Sequence, residues 1–219
     1  MRRATVGLAF GLALLATACG DRACGGRGGL PPAALPIVHR GDGDYHLLDK
    51  GAWKAYYDGQ GRIAIVEYDS DGDGRADYIA HYDENRQIRL IEVDEDHDSW
   101  VDRFEYYDAA GILEKVGRCR KQKGRADEWT YRAPDGRPAR IEYDDDGDGK
   151  PERAEVFKDG ALVRVEIDSD RDGRIDCWQN WDRGRLVSEE IDTNGDGLPD
   201  RRLVFGPQGR LLRVERILR

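Results

Sequence analysis

Apolar and polar residues alternate along most of the chain. At Ile79/His81, Phe104/Tyr106, Trp129/Tyr131 and Ala154/Val156 the apolar or aromatic positions are two apart. The residues interleaved with them (Tyr78/Ala80, Arg103/Glu105, Glu128/Thr130, Arg153/Glu155) are mostly polar. A second set, Ile91/Val93, Ile141/Tyr143 and Val165/Ile167, alternates with Glu92, Glu142 and Glu166. A period of two predicts strands with one buried face. No helical period follows residue 40. One kind of connection between strands is a short polar turn led by Tyr57-Asp58, Tyr82-Asp83, Tyr107-Asp108 or Trp181-Asp182. Glycines such as Gly61, Gly111, Gly160, Gly184 and Gly209 supply the positive φ such turns need.

The other kind of connection is acidic and repeats. Copies begin at Asp69, Asp94, Asp144, Asp168 and Asp192, with a degenerate copy at Cys119. Successive starts are 25, 25, 25, 24 and 24 residues apart. Strand, turn, strand and loop, chained, predict an all-β antiparallel meander of 24–25-residue hairpin repeats, about 13 strands in all. Its acidic loops should lie along one edge. The strands are expected to share one apolar face, so the sheet should close as a barrel, fold as a sandwich, or curl or spiral on itself; a curled or spiralling meander is preferred. A propeller is disfavoured, because two repeats per blade would give about three blades where closure typically takes 4–8.

The loops read DSDGDGRAD, DEDHDSWVD, CRKQKGRAD, DDDGDGKPE, DSDRDGRID and DTNGDGLPD. A hard cation such as calcium wants six to eight oxygens. A tight loop can offer side chains from positions 1, 3 and 5, a backbone carbonyl from 7 and a carboxylate from 9, with glycine at 6 for the bend. The candidate ligands are therefore Asp69, Asp71, Asp73, Arg75 (carbonyl) and Asp77 in the first loop, and Asp94, Asp96, Asp98 and Asp102 in the second. The fourth loop offers Asp144, Asp146, Asp148, Lys150 (carbonyl) and Glu152. The fifth offers Asp168, Asp170, Asp172, Arg174 (carbonyl) and Asp176. The sixth offers Asp192, Asn194, Asp196, Leu198 (carbonyl) and Asp200. The competing reading of each loop is a plain acidic turn, since Asp and Gly favour turns anyway. Four neighbouring carboxylates repel one another unless a cation neutralises them. In the degenerate copy Lys121 and Lys123 replace the aspartates at positions 3 and 5, and an ammonium pairing with Asp127 is expected to stand in for the ion.

These nine-residue loops resemble the EF-hand calcium loop, and also the DxDxDGxxD loops of thrombospondin type 3 repeats and integrin-type propeller blades. The resemblance implies about five Ca²⁺. An EF-hand carries Glu at position 12 and flanking helices. Here position 12 holds Ala80, Glu105, Glu155, Gln179 and Leu203, and the flanks read as strands, so the EF-hand fold is rejected. The strands and turns between loops resemble YD (RHS-like) repeats more loosely.

Composition adds three constraints. The formal charge of −9 argues against a nucleic-acid partner and suits bound cations. Loss of residues 1–18 would leave −11, and five Ca²⁺ would bring this to −1. Regularly spaced aromatics (5 Trp, 10 Tyr, 4 Phe) mark an ordered chain despite its polarity. At the N-terminus, Arg2 and Arg3 precede an apolar run over residues 4–18, the pattern of an export signal too short to span a membrane comfortably. The segment LLATAC, residues 14–19, resembles a bacterial lipobox. That resemblance implies cleavage before Cys19, lipidation of Cys19 and membrane attachment, with Gly20 pointing to the outer membrane or cell surface. The expected organisation is a signal peptide over 1–18, a lipidated Cys and flexible tether over 19–38, and a calcium-binding β-repeat domain over 39–219.

Of the remaining residues, His81, Trp129 and Trp178 are expected in the core, and His97 should point outward. Glu67, Glu92, Glu142, Glu166 and Glu190 should pair with arginines on a solvated face. Cys119 and Cys177 should remain unpaired unless the sheet closes. No nucleophile–base pair, phosphate loop or zinc spacing appears, so an enzyme is not expected. The functional expectation is a cell-envelope module with a structural or adhesive role and an envelope-protein or glycan partner. The alternative is a calcium-dependent carbohydrate-binding module using Trp53, Trp100 or Trp181.

Overall fold

The computed structural model describes residues 35–41 and 43–218; the expected export signal, Cys19, Cys24 and most of the expected tether lie outside them. The described residues form one antiparallel sheet of sixteen strands in strict sequence order. They are β1 (Ile37–Arg40), β2 (Gly43–Asp49), β3 (Trp53–Tyr57), β4 (Ile63–Tyr68), β5 (Tyr78–Tyr82), β6 (Ile88–Val93), β7 (Arg103–Tyr107) and β8 (Leu113–Arg118). After these come β9 (Glu128–Arg132), β10 (Pro138–Tyr143), β11 (Arg153–Lys158), β12 (Ala161–Ile167), β13 (Cys177–Asp182), β14 (Arg185–Ile191), β15 (Arg201–Phe205) and β16 (Leu211–Arg216). The all-β meander of hairpin repeats is as expected, and its strand order leaves β1 and β16 as edges, so the sheet does not close into a barrel. The expected count of 13 strands is too low. Strand β1 and much of β2 were read as tether or left unassigned, although Leu47 N–H already donates to the Pro36 carbonyl at 2.8 Å.

The turns form as their residues dictate. Asp58 Oδ1 accepts the N–H groups of Gln60 and Arg62, both at 2.9 Å, and Gly61 N–H returns to the Asp58 carbonyl. Gly61 has φ 75°, a conformation glycine adopts without a Cβ clash. Asp83 and Asp108 cap their turns in the same way. A register shift follows each of these turns, as between Tyr56 and Tyr57.

The expectation of one shared apolar face is overturned. One row across the sheet runs Glu67, Ile79, Glu92, Phe104, Gly117, Trp129, Glu142, Ala154, Glu166, Trp178, Glu190. The aromatics that follow the loops therefore share a face with the glutamates that precede them. The opposite face carries Val66, Ala80, Ile91, Glu105, Val116, Thr130, Ile141, Glu155 and Val165. Each strand alternates as read. The relative phase of two strands is set by the turn joining them, and the Tyr68↔Tyr78 pairing across a nine-residue loop puts Glu67 opposite Ile79.

Both faces are consequently mixed, and burial is achieved within the layer. Val93, Ala154 and Val165 are buried between neighbouring strands. Glu105, 2% exposed, is held by Arg103 Nη1 and by Tyr107 Oη at 2.7 Å. On the aromatic face Glu142 receives Arg140 Nε at 2.7 Å and Tyr131 Oη at 3.0 Å, and Glu166 receives Arg140 Nη1 at 2.8 Å. These cross-strand pairs do much of what an opposing layer would do in a sandwich.

Candidate metal centre

In a meander, alternate connections fall on the same rim. The six loops join β4–β5, β6–β7, β8–β9, β10–β11, β12–β13 and β14–β15, so all six line one edge of the sheet as expected. They are also chained. The N–H at position 1 of each loop donates to the carbonyl at position 9 of the loop before: Asp94 to Asp77, Cys119 to Asp102, Asp144 to Asp127, Asp168 to Glu152 and Asp192 to Asp176, all at 2.8–2.9 Å.

Within a loop the backbone is folded by its own carboxylates. Asp69 accepts Gly72 N–H at 2.7 Å on one oxygen and Gly74 N–H at 2.9 Å on the other. Asp71 accepts Asp73 N–H and Asp73 accepts Arg75 N–H. Asp77 closes the loop by accepting Ser70 N–H at 2.6 Å. The same pattern recurs at Asp144, Asp168 and Asp192. Glycines 72 and 74 have φ of 82° and 90°; at the corresponding sites of the second loop His97 and Ser99 adopt φ of 60° and 76°. Ends are buried or half-buried and middles mostly exposed: Asp77, Asp94, Asp127, Asp144, Glu152, Asp168 and Asp192 are buried, and Asp69, Asp102, Asp176 and Asp200 are half-buried.

Four loops bring three or more carboxylates together with ligand atoms mutually within 4.8 Å. They are Asp69, Asp71 and Asp73; Asp94, Asp96 and Asp102; Asp144, Asp146, Asp148 and Glu152; and Asp168, Asp170 and Asp176. These groups could hold a metal ion, and an all-oxygen donor set is that of a hard cation. Asp98, Asp172 and the carboxylates of the Asp192 loop fall outside such groups; in that last loop Asn194 interrupts the carboxylate series. The carbonyl positions Arg75, Lys150, Arg174 and Leu198 are exposed, as are the loop middles around them.

Several expectations are corrected. His97 turns back into the first loop, with Nδ1 3.0 Å from Asp77 Oδ1 and 3.8 Å from Asp71 Oδ2. Its hydrogen bond to Asp77, with the charges of Asp77, Asp71 and Asp94, raises its pKa above the ordinary imidazole value. Burial alone would raise Asp77, but hydrogen bonds from Ser70 and His97 outweigh it and hold this carboxyl below the usual range. Lys121 and Lys123 do not pair with Asp127. Lys123 reaches Asp98 and Lys121 reaches Asp145 at 2.7 Å, while Asp127 takes Arg120 Nε at 3.2 Å and the Lys121 N–H at 2.6 Å. The reason is that loops 25 residues apart stand side by side in the sheet, so a long side chain reaches a neighbouring loop as readily as its own.

Cross-loop packing was missed altogether. Position-7 side chains lie over the next loop: Arg75 donates to Ser99 Oγ, Trp100 packs on Gly124, and Lys150 packs on Gly173. The 24–25-residue period held part of the signal, since it sets successive loops side by side; that position 7 meets position 6 was decided by how the loops pack.

Trp53, Trp100 and Trp181 stand on β3, the second loop and β13, and so build no common platform. The aromatics that do converge are Tyr106 and Trp129, with centroids 6.0 Å apart, beside Phe104 and Tyr131. They line an open groove of about 470 Å³ on the aromatic face, in which Lys115 Nζ sits 4.3 Å from the Trp129 centroid. With no second layer above them, Trp129 and Trp178 are half-buried and do not form a core. Cys119 and Cys177 are both free thiols.

No protein-family model and no curated protein matches the chain. Among solved structures, a Staphylococcus aureus TarM mutant in complex with Fondaparinux, alpha-GlcNAc-glycerol and UDP aligns at TM-score 0.28 and 16% identity, over 53% of this chain and 20% of that one. The accessory secretory protein 1, 2 and 3 structure from Streptococcus pneumoniae aligns at 0.27 and 16%, over 53% and 19%. A GtfA/B complex bound to UDP and GlcNAc aligns at 0.30 and 14%, over 65% and 27%. The chain thus spans about a fifth to a quarter of each of these proteins, and at such TM-scores the likeness carries no argument.

Proposed function

We propose that the chain is a calcium-binding, membrane-anchored envelope protein whose sheet is stapled along one rim by Ca²⁺, serving a structural or adhesive role outside the cytoplasm. The observation that carries this is the convergence of three or four carboxylates in each of four loops on one rim. Attachment through lipidated Cys19 remains the expectation drawn from the lipobox-like segment. The residues fit calcium better than magnesium: the donors are carboxylates and carbonyls on flexible turns, where magnesium demands near-ideal octahedral geometry and keeps its water. Bound ions would neutralise the buried and half-buried position-1 and position-9 carboxylates. Because these are chained through backbone hydrogen bonds, each ion would stiffen two loops. Extracellular modules of this sort bind at about 10⁻⁴–10⁻³ M.

Thermal melts in EGTA and in millimolar calcium test the proposal. An upward shift of several degrees is expected with calcium and little with magnesium. Identical melts would leave the loops as solvated acidic turns and end the calcium reading.

The groove at Trp129 favours a second reading, a carbohydrate-binding module. An aromatic face flanked by Glu142, Lys115 and Arg125 offers stacking and hydrogen bonds to a sugar ring. Glycan-array binding that disappears in Trp129→Ala would favour it; an array without hits would remove it.

A further inference from the structure

The degenerate loop at Cys119 sits third in the row and differs from its neighbours in backbone as well as charge. Among the described residues, position 6 (Gly124, φ 72°) is left-handed as elsewhere, whereas position 4 (Gln122) is not. Three of its four basic side chains, Arg120, Lys121 and Lys123, reach outward to the loops on either side. Lys123 Nζ contacts Asp98 of the preceding loop. Lys121 Nζ contacts Asp145 Oδ1 of the following loop at 2.7 Å and the Asp145 carbonyl at 3.2 Å, and Arg120 Nη2 joins it at 3.1 Å.

The two sides are not equivalent. Asp145 is at position 2, outside the donor set of its loop, and Asp144, Asp146, Asp148 and Glu152 still converge. Asp98 is at position 5, a donor position, and the carboxylates that converge in its loop are Asp94, Asp96 and Asp102 without it. We infer that the third loop is a fixed-cation staple joining its neighbours without a metal, and that Lys123, by holding Asp98, weakens the Asp94 loop as a cation site. The first half stands on the ion pairs alone; the second rests on the calcium reading above. A divalent ion entering the Asp94 loop must displace a tethered ammonium or do without one of its side-chain oxygens, and hard cations need six to eight. The row is then divided, with the Asp69 and Asp94 loops on one side and the three later acidic loops on the other.

The test uses the full chain and its Lys123→Gln variant. In EGTA the variant should melt about 1–4 °C lower, the range of one partly exposed ion pair in a chain of this size. In a calorimetric calcium titration the site that Asp94→Asn removes should tighten by about tenfold, because a positive charge has left and Asp98 is released. Adding Asp94→Asn should abolish that gain. Lys121→Gln should lower the EGTA melt without changing the Asp94 site, and it keeps the staple testable should Lys123→Gln not fold. Unchanged EGTA melts in both variants would overturn the staple. A gain that survives Asp94→Asn, or no tightening in Lys123→Gln when the wild type binds calcium, would overturn the assignment of Lys123. A wild type that binds no calcium, with the EGTA differences intact, would uphold the staple and overturn the calcium-dependent half.

Discussion

At the scale of single residues, acid sensitivity separates two pictures of the rim. Asp77, Asp145 and Asp192 on the rim, and Asp58 on the opposite edge, all lie below the ordinary carboxyl range. For Asp145 the leading cause is its hydrogen bond with Lys121; for the others, backbone and side-chain hydrogen bonds overcome burial. A depressed folded pKa contributes stability that is present above the unfolded value of about 3.8 and is lost as pH falls through the folded value. In EGTA, therefore, stability followed by circular dichroism should drop progressively below about pH 4. If repulsion among loop carboxylates dominated, acidification would stabilise the protein. The thiols give a second check. Burial, then Glu189 and Asp176, pushes Cys177 up to about 12. It should resist iodoacetamide at pH 8 in the folded protein and react readily in urea, as seen by mass spectrometry.

At the scale of elements, Gly117 carries the sharpest expectation. It stands on β8 between Phe104 and Trp129, and an added Cβ would lie 2.6 Å from the Trp129 ring and 2.9 Å from Ala126 Cβ. Gly117→Ala should destabilise the sheet by about 1–3 kcal/mol, read by urea denaturation. It should also disturb the aromatic groove, since Trp129 could no longer lie against the strand. Strand existence was legible from alternation alone. The pairing of Gly117 with Trp129 was not, because it depends on the register between β8 and β9, and a residue at a period-two polar position gave no sign that an indole would cover it.

At the scale of the whole molecule, each strand among the described residues pairs its backbone only with strands adjacent in sequence, so stability is built mainly from local hairpins and the contacts between them. Such a chain should unfold from its edges, much as repeat proteins do. Hydrogen exchange should find β7–β10 more protected than β1 and β16, and calcium should slow exchange first along the loop rim. Uniform protection across all strands would argue for a single cooperative unit.

The period, the loop positions and the turn residues are written in the chain, because each is a local matter: an aspartate reaches an amide two to five residues away, and a glycine adopts the φ its own turn requires. That is why the all-β meander and the row of acidic loops could be read before any fold was known. Three things were decided only when the strands lay side by side. The parity of the connections put Glu142 beside Trp129 and split the apolar positions between two faces. The lateral spacing of the loops sent Lys123 to Asp98 and His97 to Asp77, across gaps of 25 and 20 residues in sequence. The linear strand order left both edges open, so the aromatics line a groove in place of a core. Each is a relation between residues distant along the chain, and register, which single-strand patterns do not contain, is the quantity that sets it.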